Sequence, residues 1–213
     1  MKKPKFVTGE EAAAMIKDDS TIATIGMTLV SASETILKAI EKRFLETGSP
    51  NHLTLVHSCG QSDRDRGIQH FAHEEMLYRI IGGHWGLQPR MMKLISENKI
   101  LAYCIPQGQF AQLYRSMAGG EPGKITKVGL GTFIDPRIDG GKMNAITKDA
   151  PDIVDVVTID GEEYMRYKPI PLDYCIIRGT YVDEMGNLTT DEEAMQLEVF
   201  SAVMACKKFG GKV

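Results

Sequence analysis

The sequence predicts an α/β domain: an open, mostly parallel sheet with helices on both faces, incomplete at its C-terminal end. Three observations predict it. Short β-rich runs alternate with amphipathic helical stretches as far as Leu130. Hydrophobic residues make up 43% of the chain and charged residues 25%, as in ordinary globular proteins. Glycine-bearing turns follow strand-like runs at Gly26, Gly108 and Gly131. A chain of 213 residues is long enough to bury a sizeable core and sits within the range of one domain.

Taken in order, Thr8 followed by Glu11 is a capping-box signature for a helix over 8–16. Residues 21–25 form a short β-rich run. Ile36, Leu37, Ile40, Phe44 and Leu45 give residues 33–45 the spacing of an amphipathic helix. A strand over 53–56 follows, then a helix over 71–78 and a strand over 79–81. The pattern continues with a helix over 91–96, a strand over 101–105, a helix over 109–117 and a strand over 126–130. Beyond Gly131 the texture becomes turn-rich. Asp160-Gly161 between 153–159 and 164–167 reads as a hairpin. Residues 174–177 are strand-like, and 191–206 fit a helix with Phe200, Val203 and Met204 on one face. Phe209-Gly210-Gly211-Lys212-Val213 reads as a helix-ending glycine and the first residue of a strand. The polypeptide is therefore expected to stop inside a repeating unit, as a piece of a longer chain or completed by a partner.

The net charge of 25 − 28 = −3 provides no basic field for nucleic acid or anionic lipid. Apolar runs are too short to span a bilayer, and no apolar segment follows Met1-Lys2-Lys3-Pro4-Lys5, so a cytoplasmic location is expected. Cys59, Cys104, Cys175 and Cys206 form no C-x-x-C pair and read as buried free thiols.

Several stretches have both a chemical and a plain structural reading. Gly26-Met27-Thr28-Leu29-Val30-Ser31-Ala32 is an anion-binding strand-to-helix turn or an ordinary one, and it has no nucleotide fingerprint. Pro106-Gln107-Gly108 places an amide where it can donate to developing negative charge, with Gly108 permitting close approach; spacing alone favours a tight turn whose Gln faces water. Gly129 to Arg137 is a second glycine-bounded strand end, in which Asp135 and Arg137 pair, line a cleft or simply make a turn. His70 and His73 read as a solvated helix face rather than half a metal site. Trp85, in Gly83-His84-Trp85-Gly86, is a pocket wall or a rim aromatic. Cys59 has no evident histidine–acid pairing.

Ordered blocks resemble the alpha-type, N-terminal half of family I CoA-transferases, nearest to the fused acetate and propionate enzymes. They are Lys42-Arg43-Phe44-Leu45-Glu46-Thr47-Gly48, Asp65-Arg66-Gly67, His70-Phe71-Ala72-His73-Glu74, Gly83-His84-Trp85, Pro106-Gln107-Gly108, Val128 to Arg137, Gly141-Lys142 and Ile177-Arg178-Gly179-Thr180. The resemblance covers about 16–211 and implies the sheet fold shared with sugar-phosphate isomerases and deaminases. It implies transfer of CoA between an acyl-CoA and a short carboxylic acid through a covalent glutamyl intermediate. In that family the glutamate and most CoA contacts belong to the beta-type half, which nothing here matches. The alpha-type half contributes an oxyanion-hole glutamine, which falls on Gln107. Around it, Gly26, Met27, Pro106, Gly108, Gly129 and Gly131 fall at the substrate. The implied partner is a beta-type half, in the same chain or as a separate subunit, within a homo-oligomer. CoA enters as substrate, with no permanent cofactor, metal, nucleic acid or membrane. Residues 1–213 then form one alpha-type domain, cut before its last strands and inactive alone. The alternative is an inert truncated domain acting only in self- or partner association.

Overall fold

The computed structural model describes residues 4–213; Met1-Lys2-Lys3, part of the stretch read for a leader, lies outside them. Helix α1 (Gly9–Ala14) begins as its capping box requires: the Glu11 N–H donates to the Thr8 hydroxyl, and the Thr8 N–H donates to the Glu11 carboxylate. Five parallel strands follow in the main sheet: β1 (Thr21–Thr24), β2 (Leu53–His57), β3 (Leu77–Gly82), β4 (Leu101–Cys104) and β8 (Tyr174–Ile176), in the order β4-β3-β2-β1-β8.

Side chains alternate across the sheet because successive strand residues point to opposite faces. Ile22, Leu55, Ile80 and Ala102 join one buried cluster with residues of α2 (Glu34–Thr47) and α3 (Pro89–Ser96). Ala23, Val56, Ile81 and Tyr103 join the other, with residues of α4 (Gln107–Gly119) and α6 (Val199–Lys208). Both faces are therefore covered, as expected for a parallel sheet. Past Gly210, which adopts φ 78°, the Lys212 N–H donates to the Asp173 carbonyl and the Cys175 N–H to the Lys212 carbonyl. That pairing sets Lys212 parallel to Tyr174 on the outer side of β8.

Three expected elements differ. The strand over 126–130 is instead β5 (Lys124–Thr126), in a separate antiparallel sheet with β7 (Glu162–Tyr167) and β6 (Val154–Ile159). Gly129, at φ 109°, ends any extension there. Instead of a helix over 71–78, a short 3-10 helix, Gly67–Phe71, is followed by a turn and then by β3 from Leu77. His70 is buried and pairs with Glu34 and Glu41 of α2, while His73 Nε2 lies 2.8 Å from Glu41. These partners hold the segment in place of a solvated helix face. The helix over 191–206 is shortened to α6, with the chain before it held by hydrogen bonds to loops at the sheet edge. A four-residue helix, α5 (Ala145–Lys148), was not anticipated. Among the described residues all four cysteines are free thiols; Cys175 and Cys206 are buried, Cys59 and Cys104 partly so.

Candidate active site

All five parallel strands direct their carboxyl ends to one edge. Between β1 and β8 the chain changes direction, with α2 leaving to one face and α6 to the other. Ligands of open α/β sheets bind in the crevice at such a switch point. A cleft of about 420 Å³ lies here, lined by Ala32, Ser33, Glu34, Thr35, Ile36, Ile177, Arg178 and Gly179.

The loop carrying Gly26 and Met27 is a tight turn, with Met27 and Val30 exchanging backbone hydrogen bonds of 3.0 and 2.8 Å. Thr28 and Ser31 hold left-handed φ values of 53° and 59°, a strain that persists only when neighbours fix the backbone. The neighbours are present: the Thr28 N–H donates to the Gly60 carbonyl at 2.7 Å, and the Ser31 hydroxyl donates to the Met195 carbonyl at 2.9 Å. Glu193 receives Arg178 Nε at 3.1 Å.

The loop after β2 is tied on every side. Trp85 Nε1–H can only donate, and it donates to His57 Nε2 at 3.0 Å. His57 therefore carries its proton on Nδ1, which donates to the Cys59 carbonyl at 2.8 Å. The Ser58 hydroxyl donates to the Glu198 carboxylate at 2.9 Å. Glycines make these approaches possible. A Cβ on Gly82 would lie 2.4 Å from His57 Nε2, and one on Gly83 would lie 2.2 Å from the Ser58 carbonyl oxygen.

Gln107 joins this cluster from β4. Pro106, at φ −54°, precedes the helix, and Gln107 is the first residue of α4. Its Cγ lies 3.1 Å from where a Gly83 Cβ would stand. Burial raises the pKa of the neighbouring Cys59 thiol, while the Gln107 side chain and the Gly60 backbone act in the opposite sense. Gln107 is exposed, and a Cβ on Gly108 would meet no atom within 4 Å. The side chain therefore stands beside an open space, with the loops after β2 and β3 next to it.

Gly129 and Gly131 sit elsewhere in the fold, beside the antiparallel sheet. A Cβ on Gly129 would press on the Tyr167 hydroxyl and Ile134, and the Gly131 N–H donates to Asp135 at 2.9 Å. Buried Asp135 also accepts from Arg137 Nε at 2.9 Å and from the Arg137 backbone N–H at 3.0 Å, which hold its carboxyl well below the usual range. Of the arrangements left open for Asp135 and Arg137, the structure shows them paired. His70 and His73 face glutamates, and among the described residues no cluster of three or more His, Cys, Asp or Glu could hold a metal.

Sequence reasoning missed Ser58, Arg178, Glu198 and the His57–Trp85 contact. The glycines beside Trp85 signalled the His57–Trp85 contact and the approach to Ser58, since close approach is what glycine permits.

Burial also gives His57 a measurable pH signature. Desolvation pushes its pKa down to about 4 from an ordinary value of 6.5. The unfolded chain then binds a proton that the folded chain refuses, so this stability is present above pH 6.5 and lost as pH falls toward 4. The whole effect is about 3 kcal/mol. Urea unfolding at stepped pH is expected to show the loss, and the His57→Asn variant to lack that part of the slope.

An open parallel α/β domain with an exposed amide donor at the carboxyl ends of its strands is a frame for chemistry on an acyl group. The chain belongs to the coenzyme A transferase family, whose model matches residues 6–207, and corresponds to the alpha-type half of family I. It is 40% identical over 210 residues to caffeate CoA-transferase of Acetobacterium woodii, covering 98% of this chain and 40% of that protein. The acyl-CoA transferase YdiF of Escherichia coli O157:H7, solved as a thioester complex with CoA, superposes with a TM-score of 0.93 at 35% identity, covering 99% of this chain and 45% of the other. The acetate CoA-transferase subunit alpha of Escherichia coli K12 is 24% identical over 203 residues, 95% of this chain and 82% of that subunit. The chain thus spans about two fifths of the longer curated relatives. Among the described residues no helix is long and apolar enough to cross a membrane.

Proposed function

We propose that residues 1–213 act as the alpha-type domain of an acyl-CoA:carboxylate CoA-transferase working on short acyl groups in the cytoplasm, with Gln107 as its oxyanion donor. The observation supporting this reading is the exposed Gln107 side chain, whose stem packs against Gly83 beside open space. The nucleophile is a glutamate of a beta-type half, in the same polypeptide or a partner subunit. Its attack on the thioester carbonyl places negative charge on the acyl oxygen, which the Gln107 N–H stabilises as CoA thiolate leaves. The thiolate then attacks the glutamyl carbonyl of the resulting anhydride, releasing the carboxylate and leaving glutamyl-CoA for the incoming acid. Gly26, Met27, Pro106 and Gly108 border the acyl group. Gly129 and Gly131, set beside the antiparallel sheet, are assigned to the outer wall of the carboxylate pocket.

The test is acetyl transfer from acetyl-CoA to propionate, assayed with the 213-residue chain alone and with a beta-type half supplied. Turnover is expected only in the second mixture. Robust transfer by the chain alone would falsify the division of labour, and no transfer by either would sink the assignment.

A further inference from the structure

We propose that His57, clamped by Trp85, is the positioning residue that sets the Ser58-Cys59-Gly60 turn and, through it, the Gln107 amide. The inference rests on reading Gln107 as the oxyanion donor and adds a residue that never touches substrate. His57 is 0% exposed and Trp85 5%, so the pair works inside the domain. Its polarity is fixed by chemistry: indole donates to Nε2, and the remaining Nδ1–H has the Cys59 carbonyl as its partner. The two rings stand edge to face at 74° with centroids 6.3 Å apart, which leaves the imidazole one orientation.

Three further contacts carry that orientation outward. The carbonyl of Gly60, one residue beyond Cys59, accepts from the strained Thr28 at 2.7 Å. The Gln107 side chain is near enough to the Cys59 thiol to oppose the rise that burial gives its pKa. The Gln107 stem and the Ser58 carbonyl both close on Gly83. Rotating the imidazole releases the Cys59 carbonyl and with it the surface on which Gln107 rests. An amide displaced by a fraction of an ångström still permits substrate binding but loses the developing oxyanion. The expected signature is therefore a change in kcat rather than KM.

The experiment compares His57→Phe, His57→Asn and Trp85→Phe in the enzyme assembled with its beta-type half. His57→Phe removes both ring nitrogens and is expected to lower kcat about 10–100-fold with KM nearly unchanged. His57→Asn keeps a donor near the Nδ1 position and is expected to recover most of that loss, which a purely structural role would not produce. Trp85→Phe removes only the indole donor and covers the case in which His57→Phe does not fold. In a Gln107→Ala background, His57→Phe is expected to add no further loss, because both act at one point. Additive losses overturn the proposal.

A second readout is independent of turnover: the rate of Cys59 alkylation by iodoacetamide on the 213-residue chain, followed by peptide mass. It is expected to rise several-fold in His57→Phe and Trp85→Phe. Unchanged alkylation in both variants overturns the proposal. If Gln107→Ala alone leaves the rate intact, the oxyanion reading falls, and alkylation still decides whether His57 positions the turn.

Discussion

Replacing Gln107 with alanine in the assembled enzyme is expected to lower kcat about 10²–10³-fold, or roughly 2.7–4 kcal/mol of barrier, with KM nearly constant. The size follows from when the interaction is made. A neutral thioester carbonyl gains little from one more donor, whereas the tetrahedral oxyanion gains a charge-assisted hydrogen bond. Stability should hardly move, because Gln107 is exposed at the first turn of α4. Steady-state kinetics with acetyl-CoA beside a thermal melt separates these outcomes. Full activity would remove Gln107 from the reaction, and a raised KM with unchanged kcat would make it a binding residue.

The second large effect is expected at Gly83. A Cβ there would stand 2.2 Å from the Ser58 carbonyl oxygen and 3.3 Å from that of Ile105. Both obstacles are main chain, and neither can rotate away. Gly83→Ala is expected to cost about 1–3 kcal/mol, lowering the melting temperature by about 2–12 °C, and to reduce kcat by displacing Gln107. Gly108→Ala is the control from the same cluster. Its Cβ would meet nothing within 4 Å, so the fold should keep or slightly raise its stability. Its expected cost is a higher KM, because the methyl group projects into the space assigned to the acyl-CoA. Equal melting temperatures for the two variants would contradict the packing described around Gly83.

What the sequence could and could not reveal follows the range of the interactions. The capping box at Thr8 and Glu11 spans three residues and was legible. So was the β6–β7 hairpin: Asp160 and Gly161 adopt φ values of 51° and 85°, as a tight two-residue hairpin turn requires. The stretch 191–198 carries helical spacing, yet Arg178, Ser31 and Ser58 hold it outside the helix, and those partners lie far back in the chain. Residues 70–74 went the same way, held by Glu34 and Glu41. The site divides likewise. Pro106-Gln107-Gly108 was visible as a turn because its own residues shape it. That Cys59, Gly83 and Gln107 meet is a property of strand order, which joins segments about 25 residues apart at one edge.

In the turn after β1, the groups that hold the shape are separate from the side chains that the proposed carboxylate pocket would use. Its shape is held by main-chain partners: Met27 with Val30, Thr28 with Gly60, and Ser31 with the Met195 carbonyl. The Met27, Leu29 and Val30 side chains enter none of these hydrogen bonds and are each only partly buried. If this turn lines the proposed carboxylate pocket, a lineage could exchange these three side chains and change which acids are admitted, while the main-chain scaffold is inherited unaltered.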